Sequence, residues 1–357
     1  MNWKKIIAIG LTGCFLFSGC AGQRQNAQKM GEEGTQEDSY ESTTFAMDTV
    51  MTFHIVAPDG EDLLIDAEQE VKRLEKLFSV TDEDSYIEQI NDNAGDKAVT
   101  VSADTLALLK AGKQLGKATN NAFDMAIYPI VKAWGFTENE YTIPTQETLD
   151  TLLPLTRVSD VTIDEDASTV YLEKEGMAVD LGGIAKGYAS DKLAEWLKKK
   201  GVKSAWLSLG GNVCAIGTKP DGSPWRIAVQ NPADENDYVG VVEISDACAV
   251  TSGGYQRYFE ENGKKYHHII DPATGKPAES GLTSVTIICK DGTKADALST
   301  ALYVMGLDDA LAYWKTQDDF EVIFVTEAGE VVATEGLEDS FTFDGKGNDY
   351  TYRVAKR

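Results

Sequence analysis

Apolar side chains at regular spacing mark the start of a folded domain. Residues 44–56 alternate along the chain with the period of a half-buried strand, at Phe45, Met47, Thr49, Met51, Phe53 and Ile55. Residues 61–78 have the spacing of one helical face instead, at Leu64, Ala67, Val71, Leu74 and Phe78. The pattern therefore predicts that the fold begins with one strand over residues 44–56, followed by a helix over residues 61–78.

The same periodicities predict the remaining elements. Further helices are predicted over residues 84–91, 103–117, 146–153, 294–305 and 308–314, and another helix ends at the basic run 198–200. Strands are predicted over residues 161–163, 169–172, 205–209, 211–217, 225–230, 240–244, 247–251, 284–289 and 321–326. A loop is predicted from Asn120-Asn121 to Pro129, because asparagine and proline are typical of loops. No internal repeat or proline-rich linker divides these elements, so the sequence predicts one α+β domain over residues 43–357.

The N-terminus has the features of an export signal. Lys4 and Lys5 precede an apolar run over residues 6–17, which is too short to span a bilayer as a mature helix. The segment ending at Cys20 resembles a bacterial lipoprotein cleavage box, and a plain secretory signal is the alternative. We expect residues 1–19 to be removed, Cys20 to be lipidated, and the polar residues 20–42 to form a disordered tether. The protein would then be exported and anchored to the outer or periplasmic face of the cell membrane.

Net charge limits the possible binding partners, and the cysteines indicate neither a disulfide nor a zinc site. With 58 acidic and 33 basic residues the net charge is −25, which argues against nucleic acid as a partner and requires a metal to bridge any polyanionic substrate. Cys214, Cys248 and Cys289 each lie in an apolar, strand-like run. This favours buried free thiols over a disulfide pair, and no zinc-ligand spacing is present.

Two of the three histidines stand side by side before a turn. Neighbouring side chains of a strand face opposite ways, so His267 and His268 cannot both point into one pocket. His268 is the candidate reactive residue because the turn formed by Asp271-Pro272 and Thr274-Gly275 follows it closely. With an ordinary pKa of about 6.5 it would titrate near pH 6 to 7. The alternative is a polar hairpin end without chemistry.

Two further patterns are candidate anion and metal sites. Asp180 and Lys186 flank Gly182-Gly183 at a predicted strand-to-helix turn, where backbone N–H groups can approach phosphate, although a tight turn without a ligand has the same pattern. Asp296 and Thr300 lie four residues apart on one predicted helix and offer two hard oxygen ligands, as Mg²⁺ prefers. An exposed Asp in the first helical turn, with Thr bonded to the backbone, is the alternative.

Several ordered motifs together resemble the ApbE family of FAD:protein FMN transferases, which are often exported lipoproteins. The resemblance spans about residues 43 to 330 and rests on Phe45-Ala-Met-Asp-Thr49, Ala122-Phe-Asp124 with Pro129 and Trp134-Gly-Phe136, Asp180-Leu-Gly-Gly-Ile-Ala-Lys-Gly-Tyr188, Thr251-Ser-Gly253, His268-Ile-Ile-Asp-Pro-Ala-Thr-Gly275 and Ala295-Asp-Ala297 with Thr300-Ala301. Two positions depart from the family pattern. Asp48 stands where glycine is frequent, and the segment 79–85 around Thr81 lacks the aromatic residue that the family frequently has there.

The resemblance implies a T-fold-like architecture of two interlocked α/β lobes with the active site between them. It implies Mg²⁺ held by Asp296, Thr300 and the Gly183 carbonyl, with His268 at the reaction centre. The residues implied to line FAD are Met47, Ala122, Phe123, Asp124, Asp180, Lys186 and Ile270.

The implied reaction is Mg²⁺-dependent transfer of FMN from FAD to a threonine or serine hydroxyl of an acceptor protein, with release of AMP. The acceptor would be a subunit of a membrane redox complex or an exported flavoprotein. An FAD pyrophosphatase that yields FMN and AMP, or a flavin-binding lipoprotein, remains an alternative.

Overall fold

The computed structural model describes residues 38–357, so the predicted signal peptide, Cys20 and most of the predicted tether lie outside the described residues. The helices in this part of the chain are α1 (Gly60–Phe78), α2 (Tyr86–Asp92), α3 (Ala103–Ala118), α4 (Tyr128–Ala133), α5 (Gln146–Leu152), α6 (Ala185–Lys199), α7 (Gly292–Met305) and α8 (Leu307–Trp314). None of the helices within residues 38–357 is long and apolar enough to cross a membrane.

The strands of the same part are β1 (Ser39–Ala46), β2 (Thr49–Val56), β3 (Val99–Thr100), β4 (Val161–Asp164), β5 (Thr169–Leu172), β6 (Ser204–Leu209), β7 (Asn212–Gly217), β8 (Trp225–Asn231), β9 (Asp234–Ile244), β10 (Cys248–Gly253), β11 (Tyr258–Glu261), β12 (Lys264–His267), β13 (Ile270–Asp271), β14 (Lys276–Pro277), β15 (Leu282–Cys289), β16 (Phe320–Thr326), β17 (Glu330–Thr334), β18 (Phe341–Phe343) and β19 (Thr351–Ala355). Most of the predicted elements are present, and the α+β class is confirmed.

A nine-stranded sheet organises the domain, in the order β1-β2-β6-β7-β10-β15-β16-β17-β19. Its pairs are antiparallel except for the last, β17 with β19. Buried side chains of α1, α3 and α6 pack on the β1–β7 end of one face, and those of α7 and α8 pack on the β10–β17 end. The opposite face is covered by the small sheet β18-β9-β8. Helices α6 and α7 therefore meet over the middle of the sheet.

The first predicted strand is two strands joined by a tight turn. Met47 and Asp48 have φ angles of 50° and 58°, as the two central residues of a hairpin turn require, and β1 pairs with β2 from Ala46 to Ser39. Phe45 consequently faces solvent, whereas Met51 is buried. Because β1 begins at Ser39, the last four residues of the predicted tether, 39–42, belong to the sheet.

Two other local predictions are wrong. Pro129 does not lie in a loop but in the first turn of α4, where its missing N–H and fixed φ cost nothing. Val179 and Asp180 do not form a strand. They belong to a segment without regular structure. Two hydrogen bonds hold it: the Asp180 N–H donates to the Met125 carbonyl at 2.8 Å, and the Val179 N–H donates to Asn91 Oδ1 at 2.7 Å.

The cysteine prediction is also wrong. Cys214 on β7 and Cys248 on β10 are directly opposite each other and form a disulfide. Cys248 also lies opposite Cys289 on β15, which stays a buried free thiol. Three cysteines thus lie in one row across adjacent strands, an arrangement set by register rather than by spacing in the sequence.

Candidate active site

The close approach of α6 and α7 sets the geometry of the site. Gly187 of α6 lies against Gly292 of α7, and a Cβ atom at Gly187 would be 2.1 Å from the Gly292 carbonyl oxygen. One turn further along α6, Asp191 accepts hydrogen bonds from the N–H groups of Gly292 at 2.8 Å and Thr293 at 2.7 Å. Burial raises the pKa of Asp191 to about 6, against the lowering effect of these bonds. Helix α7 is thereby fixed in position on α6.

Asp296 projects from α7 into this contact. It is only 4% exposed, and its Oδ2 accepts a hydrogen bond from the Gly187 N–H at 2.9 Å. Its Oδ1 lies 3.8 Å from Lys186 Nζ, and the same ammonium group donates to the Gly182 carbonyl at 2.9 Å. Asp296 is therefore a buried, paired carboxylate, which excludes the alternative of an exposed aspartate in the first helical turn.

Thr300 and Gly183 complete the cluster. A Cβ atom at Gly183 would be 3.9 Å from Thr300 Oγ1 and 3.2 Å from the ring of Phe123, so the segment passes close to both. Beside it, Asp180 Oδ1 accepts a hydrogen bond from the Gly182 N–H at 2.8 Å. Burial raises the pKa of Asp180, opposed by that N–H and by the positive charge of Lys186. The three residues predicted to hold the metal therefore lie together, and three of the residues predicted to line FAD, Phe123, Asp180 and Lys186, lie beside them.

The donor set of this cluster suits a hard cation. Within residues 38–357 no three His, Cys, Asp or Glu side chains are grouped so as to hold a metal ion. A cation here would depend on one carboxylate, one hydroxyl, backbone carbonyl oxygen and oxygens of the substrate. Mg²⁺ prefers such a set, since it binds one or two carboxylates and keeps its other positions for water and phosphate.

The two adjacent histidines have different neighbours, although only His267 lies on strand β12 and His268 lies in the bend that follows it. The His267 ring contacts Tyr303 of α7 edge-on at 5.6 Å, with Nε2 3.1 Å from the Ala278 carbonyl. The His268 ring lies edge-on to Phe136 at 6.4 Å, with Nδ1 3.1 Å from the Arg257 carbonyl. The turn after His268 has the predicted features. The Ala273 N–H donates a hydrogen bond to Asp271 Oδ1 at 2.9 Å, and Gly275 has a positive φ of 69°.

His268 is a neutral imidazole in this structure. Burial lowers its pKa to about 3, and the positive charges of Arg257 and Lys186 add to the effect. A carbonyl oxygen only accepts hydrogen bonds, so Nδ1 must bear the proton and Nε2 must bear the lone pair. The expected titration of His268 near pH 6 to 7 is therefore wrong for the protein without substrate.

Other predicted flavin-site residues have structural partners. The Asp124 carboxylate accepts the N–H groups of Ala126 at 2.8 Å and Val158 at 3.1 Å, and burial raises its pKa to about 6. Ile270 is 6% exposed and belongs to an apolar cluster with Trp134. The Met47 N–H donates to Glu75 Oε1 at 2.6 Å, and Ala122 packs on the main core. The Asp124 carboxylate is therefore bonded to backbone groups rather than directed toward the Asp296 cluster.

Sequence reasoning missed three side chains at the site. Ser252 Oγ lies 2.7 Å from Ser299 Oγ and 3.4 Å from Thr300 Oγ1, and Ser299 donates to the Asp296 carbonyl at 2.8 Å. The motif Thr251-Ser-Gly253 marks Ser252, and Ser299 directly precedes Thr300. Arg257 has no comparable signal, because its partners are far away in the sequence.

Comparison of the sequence with known proteins identifies its family. The ApbE family model matches residues 47–324. An FAD:protein FMN transferase of Klebsiella pneumoniae (strain 342) is 36% identical over 265 residues, which cover 74% of this chain and 82% of the relative. One of Escherichia coli (strain K12) is 30% identical over 329 residues, covering 91% and 93%.

Solved structures agree with the sequence relatives. The ApbE protein of Thermotoga maritima has a TM-score of 0.79 at 34% identity and covers 84% of this chain and 97% of its own. The flavin transferase ApbE of Vibrio cholerae has a TM-score of 0.74 at 28% identity, covering 85% and 96%.

Proposed function

Because the chain belongs to the ApbE family, we propose that it is an Mg²⁺-dependent transferase that moves FMN from FAD to an acceptor protein. The acceptor group is a threonine or serine hydroxyl, and AMP is released. The observation that supports this best is the cluster of buried Asp296 with Lys186 and Thr300, together with a neutral His268 that the positive charge of Lys186 reaches.

The reaction is a phosphoryl transfer, so the protein mainly positions groups and balances charge. The acceptor oxygen forms a bond to the phosphorus atom of the FMN part. The bond from that phosphorus to the bridging oxygen breaks, and AMP leaves with this oxygen. Asp296, Thr300 and the Gly183 carbonyl would hold Mg²⁺, which would supply positive charge to offset the negative charge of the pyrophosphate.

The chain's own residues have defined tasks in this scheme. Lys186, whose Nζ lies 3.8 Å from Asp296 Oδ1, would supply positive charge to the pyrophosphate, which is anionic like the protein as a whole. His268 Nε2 accepts the hydroxyl proton as the new bond forms, a contribution of roughly 10²- to 10⁴-fold. Burial, and after it the positive neighbours, lower the pKa of His268 in the free protein, and an anionic substrate beside Lys186 would offset the effect of the positive charges.

We propose that the reaction takes place at the membrane surface. Lipidation at Cys20 would hold the domain at the outer or periplasmic face of the membrane on the polar segment that precedes β1. Acceptors would then be membrane redox-complex subunits or exported flavoproteins that present a threonine or serine at that face.

The test is an incubation with FAD, Mg²⁺ and a candidate acceptor, followed by a denaturing gel read for flavin fluorescence. Covalent fluorescence on the acceptor supports the transferase, and it should disappear with EDTA and with an acceptor whose hydroxyl residue is replaced by alanine. Free FMN without labelled acceptor identifies a pyrophosphatase instead, and intact FAD identifies a flavin-binding protein.

A further inference from the structure

Arg257 joins three segments at the mouth of the site. Its Nη2 donates to the Phe136 carbonyl and to Asn139 Oδ1, the latter at 3.1 Å, in the loop after α4. Its Nη1 lies 3.6 Å from Asp48 Oδ2 in the β1–β2 turn. The side chain is 35% exposed, so it lies at the boundary between the site and solvent. Two segments remote in sequence are thus tied to the short segment between β10 and β11.

The backbone carbonyl of Arg257 is hydrogen-bonded to His268. The Arg257 carbonyl accepts hydrogen bonds from the His268 backbone N–H and from His268 Nδ1, each at 3.1 Å. The second bond selects the tautomer with a free lone pair on Nε2, which is the form able to accept a proton. The position of one carbonyl oxygen therefore decides whether the histidine is ready to act as a base.

We propose that Arg257 is a positioning residue for FMN transfer: its guanidinium fixes the segment whose carbonyl holds His268 in the Nδ1–H tautomer. This rests on the proposed function and adds to it a residue that acts through the base. Asp48 contributes to the same arrangement, since its carboxylate, 71% exposed, lies 3.6 Å from Arg257 Nη1.

The charges around His268 give the proposal a second readout. Arg257, His267 and Lys186 are the titratable or charged groups that act on the His268 ring, and the uncharged Phe136 ring packs beside it. Removing the guanidinium charge should raise the pKa of His268, whereas Arg257→Lys keeps the positive charge but loses the planar guanidinium group. The two substitutions thus separate the effect of charge from the effect of position.

The experiment uses NMR of protein labelled at the histidine ring nitrogens, together with transfer kinetics. The chain has three histidines, so the His268 signals can be assigned with a His268→Gln variant. Arg257→Gln should show a mixture of tautomers, titration at higher pH, and a kcat lower by about 10- to 100-fold with little change in KM for FAD. Arg257→Lys should keep the low pKa but still show mixed tautomers. Arg226→Gln is the matched control, because Arg226 is an exposed arginine on β8 beside Glu243.

Two results overturn the proposal. One is an Arg257→Gln protein with the parental tautomer and kcat. The other is an unchanged tautomer with a raised KM, which would make Arg257 a substrate contact. If Arg257→Gln does not fold, Asn139→Ala removes one guanidinium partner and should shift the tautomer in the same direction. The tautomer is measured without substrate, so it tests positioning even if the parent labels no acceptor, a result that would count against the proposed function alone.

Discussion

The contact between Gly187 and Gly292 should be essential for placing Asp296, and Gly187→Ala tests this. The new Cβ would lie 2.1 Å from the Gly292 carbonyl oxygen and 2.8 Å from Asp296 Cβ. Carbon atoms in contact are about 3.5 to 4 Å apart, so the two helices must separate by roughly 1 Å or more. Such overpacking typically costs about 1 to 3 kcal/mol. The shift would also move the N–H that binds Asp296 Oδ2.

Gly112→Ala is the matched control for this change. Gly112 lies inside α3, and a Cβ there would meet the Met125 sulfur atom at 2.7 Å, the flexible part of a side chain that can turn aside. Both substitutions replace a helical glycine by alanine, and the gain in helix propensity is at most about 1 kcal/mol in either helix. Gly187→Ala should therefore unfold at lower urea concentration, with a free energy of unfolding about 1 to 3 kcal/mol below that of the control. Its transfer rate should fall by about 100-fold, as expected for a misplacement near 1 Å.

Urea unfolding followed by circular dichroism and initial rates of acceptor labelling measure both effects. Equal stability and equal rates for the two variants would refute the reasoning. Lower stability with an unchanged rate would mean that the contact supports the fold but does not set the position of Asp296.

Three further outcomes are expected. Asp296→Ala should abolish transfer and lower the free energy of unfolding by about 1 to 3 kcal/mol, because it leaves the buried Gly187 N–H unpaired; exposed Asp309→Ala on α8 should do neither. The pKa of Asp191 is raised from 3.8 to about 6 in the folded protein, so its contribution to stability is present below about pH 4 and lost as pH rises to 6. Asp191→Asn should flatten urea-derived stability against pH in that window by roughly 1.4 kcal/mol per pH unit, and an unchanged slope would contradict the assignment. Replacing Cys214 and Cys248 by serine removes a cross-link over 34 residues and should cost about 3 to 4 kcal/mol in chemical unfolding, whereas Cys289→Ser should cost much less.

Local patterns in the sequence predicted what depends on neighbours in the chain. The helical spacing of Asp296 and Thr300 placed both on one face of α7, and the Asx turn at Asp271 followed from residue types alone. These two features need only the periods of helix and strand and the chemistry of turns. The different contacts of His267 and His268 do not follow from strand alternation, because β12 ends at His267 and His268 lies in the bend after it.

Features set by distant contacts could not be predicted in this way. The row of Cys214, Cys248 and Cys289 depends on the register of three strands, and spacing does not encode register. The low pKa of His268 depends on burial and on charges from other elements. Arg257 was missed for the same reason, since Asp48 and Asn139 come near it only in the folded chain.

The central claim is that His268, held by the Arg257 carbonyl, accepts the hydroxyl proton during FMN transfer. The most direct measurement is the initial rate of acceptor labelling by His268→Ala and His267→Ala, at saturating FAD and Mg²⁺ and with FAD affinity measured in parallel. The account predicts that His268→Ala still binds FAD but transfers FMN about 10² to 10⁴ times more slowly, whereas His267→Ala loses less than about tenfold. A crippled His267→Ala with a nearly normal His268→Ala, or two variants as fast as the parent, would contradict it.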